Sequence, residues 1–247
     1  MQLSREEILG LMNNERYPLS NKYDPDWIIG NWIGSHCLWL QEALAQDMNL
    51  SPKQRVLDLG CGKAIHSIFL AKEYGVNVWA TDLRITATDN WKRICDTGAG
   101  DMVFPIRADA NDLPFADNFF DAMVSINALF FFTPDGQFLK EHIFRHVKPG
   151  GVIGVVVPGF FKKYLPIPAE LKPHWHPDFD KWYTLEWWID AFIKSDSVDI
   201  MIADTFPNHE GNMIYRKSAR IVNAHEDPFN ALAIDNITFI RLIAKRK

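Results

Sequence analysis

From residue 54 onward the apolar positions switch repeatedly between short runs and helical spacing. Residues 55–59 (Arg-Val-Leu-Asp-Leu) form a short apolar run that predicts a strand. Ala64, Ile65, Ile68, Phe69 and Ala71 then recur with helical period, and residues 76–81 read as a second strand. A helix over 86–97, closed by Gly98, separates it from a third strand at 102–108 and a fourth at 119–126. Phe138, Leu139, Ile143 and Val147 give the apolar face of the next helix. Its predicted start is Thr133 as N-cap with Pro134 at the first position, and Lys148-Pro149-Gly150-Gly151 ends it. Residues 152–157 are apolar on both faces, as a buried central strand requires. A helix at 184–194 and strands at 198–205 and 236–244 complete seven strands. The pattern predicts an α/β fold: a doubly wound, mostly parallel seven-stranded sheet with helices on both faces.

Two segments depart from this rhythm. Near the start, Ser4 and Glu7 form an S-x-x-E capping box ahead of Ile8, Leu9 and Leu11, predicting a helix over 4–13. A polar stretch over 14–26 leads into a helical segment over 27–48, with breaks offered at Gly30 or Gly34. In that segment Trp32, His36 and Trp39 fall on one helix face. Later, residues 158–183 carry five prolines and many aromatics, too apolar for disorder and too irregular for an element. The expected organisation is a helical cap over 1–50 and a main domain over 51–247, with 158–188 inserted as an aromatic lid after the fifth strand.

Composition narrows the class. The chain of 247 residues is 47% hydrophobic and 23% charged, as in a globular protein. No apolar run reaches the roughly 18 residues of a membrane helix, and residues 1–7 are too polar for a signal peptide; a cytoplasmic protein without membrane insertion is expected. Net charge is −5, and no Lys/Arg cluster exceeds Lys245-Arg246-Lys247, which argues against nucleic acid as a partner. Cys37, Cys61 and Cys95 are odd in number and lack metal-type spacing, so a reducing compartment and no metal are expected. Seven of the nine tryptophans lie within 27–39 and 175–188. They either pack the core or line a pocket for an organic molecule.

The chemistry sits at Val56-Leu57-Asp58-Leu59-Gly60-Cys61-Gly62-Lys63-Ala64, a strand, a Gly-x-Gly turn and a helix in immediate succession. Glycines there let the backbone turn tightly and approach a ligand closely. Asp58 repels a pyrophosphate and suits a ligand bearing an ammonium group. The third glycine of the dinucleotide fingerprint is missing, and Lys63 is followed by Ala64 rather than the Ser/Thr of a phosphate loop. Asp82, about twenty residues on, stands at the ribose-binding position of such folds.

This string resembles the first motif of the Rossmann-like S-adenosylmethionine (SAM) dependent methyltransferases, and the resemblance continues over residues 54–158. It runs through Ala80-Thr81-Asp82-Leu83, Ala108-Asp109-Ala110 with Leu113-Pro114-Phe115, Phe120-Asp121-Ala122-Met123-Val124-Ser125, and Val147-Lys148-Pro149-Gly150-Gly151. The whole chain looks like the family's bacterial small-molecule branch. The resemblance implies transfer of a methyl group from SAM to a small-molecule acceptor, leaving S-adenosylhomocysteine (SAH). It implies that Asp58 holds the methionine ammonium, directly or through water, above a floor of Gly60 and Gly62. Asp82 would bind the ribose hydroxyls and Leu83 the adenine face, Asp109 would accept from the adenine amino group with Ala110 beside it, and Asn127 would line the site by the sulfonium. Ala64 departs from the glycine many members carry there.

Methyl transfer needs alignment more than a triad, and a base only where the acceptor loses a proton. Histidine suits that role at neutral pH. His36, and His174 with His176, are the candidates; Trp32, Phe130, Trp175 and Trp187 are the expected acceptor pocket, and His66 reads as structural. A nucleic-acid methyltransferase is disfavoured because Asn127-Ala128-Leu129-Phe130 lacks the paired prolines of the amino-methylating enzymes. Methylene transfer to a lipid double bond and non-catalytic SAM binding stay open, as does the choice between monomer and homodimer.

Overall fold

A computed structural model describes residues 3–132, 135–207, 209–221 and 236–247. All seven predicted strands are present: β1 (Arg55–Leu59), β2 (Asn77–Asp82), β3 (Val103–Arg107), β4 (Phe120–Ile126), β5 (Val147–Phe160), β6 (Val198–Thr205) and β7 (Ile237–Arg246). They form one sheet in the order β3-β2-β1-β4-β5-β7-β6. Strands β1 to β5 are parallel, and β7 runs antiparallel between β5 and β6. The order reverses between β1 and β4, which places a crevice beyond the carboxyl ends of those two strands.

Among the described residues eight helices accompany the sheet: α1 (Arg5–Met12), α2 (Pro25–Gly30), α3 (Cys37–Ala45), α4 (Ile65–Tyr74), α5 (Ala87–Asp96), α6 (Gly136–Phe138, continued by irregular helical turns to His146), α7 (Leu185–Lys194) and α8 (Glu210–Ile221). Ser4 and Glu7 make the reciprocal capping box at α1. Alternation along the strands divides the core: Val56, Ala122 and Val124 pack with α3 and α4, while Leu57, Leu59 and Met123 join the opposite cluster with α6 and α7.

Four expectations are corrected. The segment over 27–48 does break at Gly30, one of the two positions offered; what is corrected is the shared helix face of Trp32, His36 and Trp39, because His36 takes a non-helical conformation and caps α3 rather than lying inside a helix. The N-cap of α6 is Asp135, whose side chain accepts from Phe138 N–H at 2.8 Å; Thr133 and Pro134 lie outside the described residues. Lys148-Pro149-Gly150-Gly151 does not separate helix from strand. It is an irregularity within β5, whose pairing on β4 shifts register between Phe120 and Ala122. β5 also runs on to Phe160, three residues into the segment expected to be irregular.

The packing does not break at residue 50. Every residue of α3 is buried, and Trp39, Leu40 and Leu44 share one core cluster with Val56 and Val124. The helix rests directly on β5 at Gly154, where an added Cβ would lie 2.5 Å from Met48 Sδ and 3.0 Å from Leu44 Cδ2. Arg241 of β7 bridges to the Ala43 carbonyl at 3.1 Å, to Asp47, and to Asp204 at 2.8 Å.

Candidate active site

The β1–α4 turn is shaped by two glycines that no other residue replaces cheaply. Gly60 and Gly62 have φ of +74° and +54°. A Cβ on Gly60 would fall 2.3 Å from the Ala128 Cβ, just past β4. The N–H groups of Gly60 and Cys61 both donate to the Thr81 carbonyl at 2.9 Å, fastening the turn to β2. Gly62 N–H donates to Asp82 Oδ2 at 2.9 Å, and Asn90 Nδ2 donates to the Gly62 carbonyl at 2.9 Å.

Under this turn Asp58 is fully buried. Its Oδ2 accepts from Ser67 Oγ at 2.6 Å, while Oδ1 is buried with no partner. Burial pushes the carboxyl up to about 7; the Ser67 hydrogen bond opposes this and the Asp82 charge adds to it. A buried carboxylate with an open oxygen is suited to a cation.

Asp82, at the end of β2, also accepts from Arg84 and Ile85 N–H through Oδ1, at 2.8 and 2.9 Å. Three of its roughly four acceptor directions are therefore taken, so it offers one to a hydroxyl rather than the bidentate pair expected. Leu83 beside it is 49% exposed, and Asp109 is exposed with Oδ1 accepting from Asn111. Ala110 is buried. Asn127 has a left-handed φ of +54°, and both of its side-chain polar atoms are buried without partners.

The N-terminal segment sits on this turn. A Cβ on Gly62 would lie 3.3 Å from Ile33 Cδ1, and one on Gly34 would lie 3.4 Å from Asn127 Nδ2. Lys63 Nζ donates to the Gly30 carbonyl at 3.0 Å. Two buried carboxylates anchor the chain just before it. Glu42 of α3 accepts from Leu19 N–H, Ser20 N–H and Ser20 Oγ at 3.0, 2.7 and 2.6 Å. Glu210 of α8 accepts from Tyr17 Oη at 2.6 Å and pairs with Arg16.

Residues 56–151 match the family model described as "Methyltransferase domain". That match places a methyltransferase domain within the chain, over 96 of its 247 residues. The sterol 24-C-methyltransferase of Yarrowia lipolytica is 33% identical over 115 residues, covering 45% of this chain and 29% of that protein. The ubiquinone/menaquinone biosynthesis C-methyltransferase UbiE of Cupriavidus pinatubonensis is 33% identical over 161 residues, 63% of each chain. The chain thus spans less than two thirds of either relative. Phosphoethanolamine N-methyltransferase 2 of Haemonchus contortus, solved with SAM, shares the fold with a TM-score of 0.71 at 18% identity, covering 96% of this chain and 59% of that one.

The methyltransferase domain gathers Asp58, Gly60, Gly62, Asp82 and Asn127 at one end of β1, β2 and β4. The histidines are placed differently from expectation. His36 is buried, its ring 3.8 Å from Trp39 and 6° from coplanar, and Nδ1 accepts from Trp39 N–H at 3.4 Å. That leaves its proton on Nε2. Burial depresses it to about 3, with the Lys217 charge adding to the effect, so it is a poor base near neutrality. His176 is surface-exposed and caps a short turn through Asp178 N–H at 3.2 Å. The side chain of His174 lies outside the described residues. His66 is buried, and burial lowers it to about 4. Among the described residues no group of three or more His, Cys, Asp or Glu is arranged for a metal, and no helix is long and apolar enough to cross a membrane.

The expected pocket aromatics separate. Trp32 meets the His36 ring at 4.8 Å and stays at the turn. Phe130 is buried against Phe131. Trp175 packs within the insertion, on Phe160 and Tyr164, and donates to Asp180 at 2.9 Å. Trp187 stacks on Tyr183 at 3.7 Å in the first turn of α7. The insertion reaches the segment after β4 through Lys181 Nζ, 3.5 Å from the Phe131 carbonyl.

Sequence reasoning missed α8, which touches both the N-terminal segment and the insertion after β5: Ser218 Oγ accepts from His36 N–H at 2.9 Å, and Tyr215 meets Trp182. Its buried face is made largely of small and polar residues, Glu210, Gly211, Asn212 and Ser218, so few large apolar positions mark it.

Proposed function

We propose that this protein transfers the methyl group of SAM to a small-molecule acceptor through an O, N, S or C nucleophile, giving SAH. The observation that carries the proposal is Asp58, buried under the Gly60–Gly62 turn with one oxygen unpartnered. When bound, SAM supplies a methyl group already activated on a sulfonium, so the protein's work is binding, orientation and exclusion of water. Asp58 would take the ammonium, Asp82 one ribose hydroxyl and Leu83 the adenine face, with Asp109 and Ala110 at the adenine edge and Asn127 at the sulfonium side. Ile33 and Gly34 would shield the site from water. Free thiols and the absence of a long basic cluster support a cytoplasmic site of action and an acceptor other than nucleic acid.

Calorimetry is expected to show SAM and SAH binding and no NAD binding; tight NAD binding without SAH binding would overturn the reading. Asp82→Ala should weaken SAH by about 1–3 kcal/mol, through loss of a charged acceptor and of its hold on Gly62. Unchanged affinity would remove Asp82 from the site. Transfer of label from methyl-labelled SAM to candidate acids, amines and phenols tests the activity itself.

A further inference from the structure

The junction of α3 and α8 holds hydrogen-bond donors with nothing to accept from them. His36 and Trp39 are 1% and 0% exposed, and His36 Nε2 and Trp39 Nε1 are buried without partners. Because His36 Nδ1 is the acceptor of the α3 cap, Nε2 carries the proton; both orphan atoms are therefore N–H groups on stacked rings. Leaving two such donors unpaired in a packed interior is costly and calls for an explanation.

Charge at the junction has the same sign. Lys217 Nζ of α8 lies 5.5 Å from the Trp39 ring centroid, and no acceptor for it is found among the described residues. Neighbouring cations differ: Arg16 pairs with Glu210, and Arg241 with Asp47 and Asp204. Glu210, the carboxylate of α8, is thus already neutralised. The amino end of α3, nine residues long, adds its own partial positive charge beside His36.

We propose that this junction binds an anionic oxygen group, the carboxylate or phosphate of the methyl acceptor, through Lys217 Nζ, His36 Nε2–H and Trp39 Nε1–H. The inference deepens the methyltransferase reading and rests on it for the word acceptor. It also bears on where the acceptor would lie. His36 follows Gly34 by two residues, which span at most about 7 Å of chain, and Gly34 abuts Asn127. The anionic group would therefore enter beside the segment that abuts Asn127, the side on which the reading above puts the sulfonium. His36 is then a specificity residue, donating a proton it keeps, and not a base.

The test is a titration of the SAH-bound full chain with inorganic phosphate and, separately, acetate, at ionic strength held constant with chloride. The readout is the Trp39 indole N–H resonance in a proton–nitrogen spectrum. A saturable shift with at least one anion is expected; the arm that saturates tells phosphate from carboxylate recognition. Lys217→Gln should weaken that anion at least about tenfold, the loss of a charge-assisted contact, and Lys217→Arg should retain it. SAH affinity should be the same in all three proteins, which also reports that they are folded. No shift with either anion, or equal anion affinity in Lys217→Gln, overturns the proposal. If SAH does not bind the parent, the methyltransferase reading falls, and the anion titration of the unliganded chain still decides the site.

Discussion

Gly60→Ala is expected to cost about 3–5 kcal/mol of stability and to abolish SAH binding. Two terms act together. A left-handed backbone at a residue with a Cβ costs about 1–2 kcal/mol. The new methyl would also lie 2.3 Å from the Ala128 Cβ, against the roughly 3.5–4.0 Å at which carbon atoms attract. A Cβ cannot rotate away, so β1 and the turn after β4 must part, and Asp58 and Asn127 lie on either side of that gap. Denaturant unfolding and SAH calorimetry measure the two losses. Adding Ala128→Gly should return part of the stability but not the conformational term. If Ala128→Gly recovers nothing, the contact between the two turns is not what forbids a side chain at residue 60.

A second large effect follows from Asp58. Its folded carboxyl, held near 7 by burial, lies above the ordinary value of 3.8. The folded state therefore keeps a proton that the unfolded chain gives up. The stabilising contribution is whole below the ordinary carboxylate range and is lost as pH rises through about 7, by up to about 4 kcal/mol. Asp58→Asn should remove this dependence and be more stable than the parent at pH 8. Cofactor binding runs the other way, because an ammonium group needs the carboxylate. SAH affinity of the parent should be about tenfold weaker at pH 6 than at pH 8, with proton release on binding below pH 7. In Asp58→Asn the affinity should be low and flat with pH. Parent affinity that does not change between pH 6 and 8 would show that Asp58 does not meet the ammonium group.

How much of this was legible before the coordinates depended on the kind of signal. Strands β1, β4 and the second half of β5 are buried almost throughout, and the Gly-x-Gly turn follows β1 directly, so the sheet and that turn could be read from spacing. The N-terminal segment could not. The interval Trp32, His36, Trp39 satisfies helical periodicity, yet the rings meet across a cap because His36 leaves the helix to bind Trp39 N–H. The packing across residue 50 is hidden from the sequence for a related reason: Leu44 and Met48 use the bare surface of Gly154, more than a hundred residues away, and no local pattern announces such a contact. The acceptor side was least legible. His36 and His176 both look like bases by type, but burial depresses the first and the second caps a surface turn.

The placement of β7 bears on how the sheet is made. It follows β6 in the chain yet pairs on both sides, between β5 and β6. Residues 198–205 therefore have no strand to pair with until residues 237–246 have been made. At about 5–20 residues per second of synthesis, β6 waits on the order of 2–8 s with both edges open. The last step of assembly is an insertion between two existing strands, not an addition at a rim. For those seconds the nascent chain is an incomplete sheet with two adhesive borders, and that interval is where a chaperone or a neighbouring nascent chain would find it.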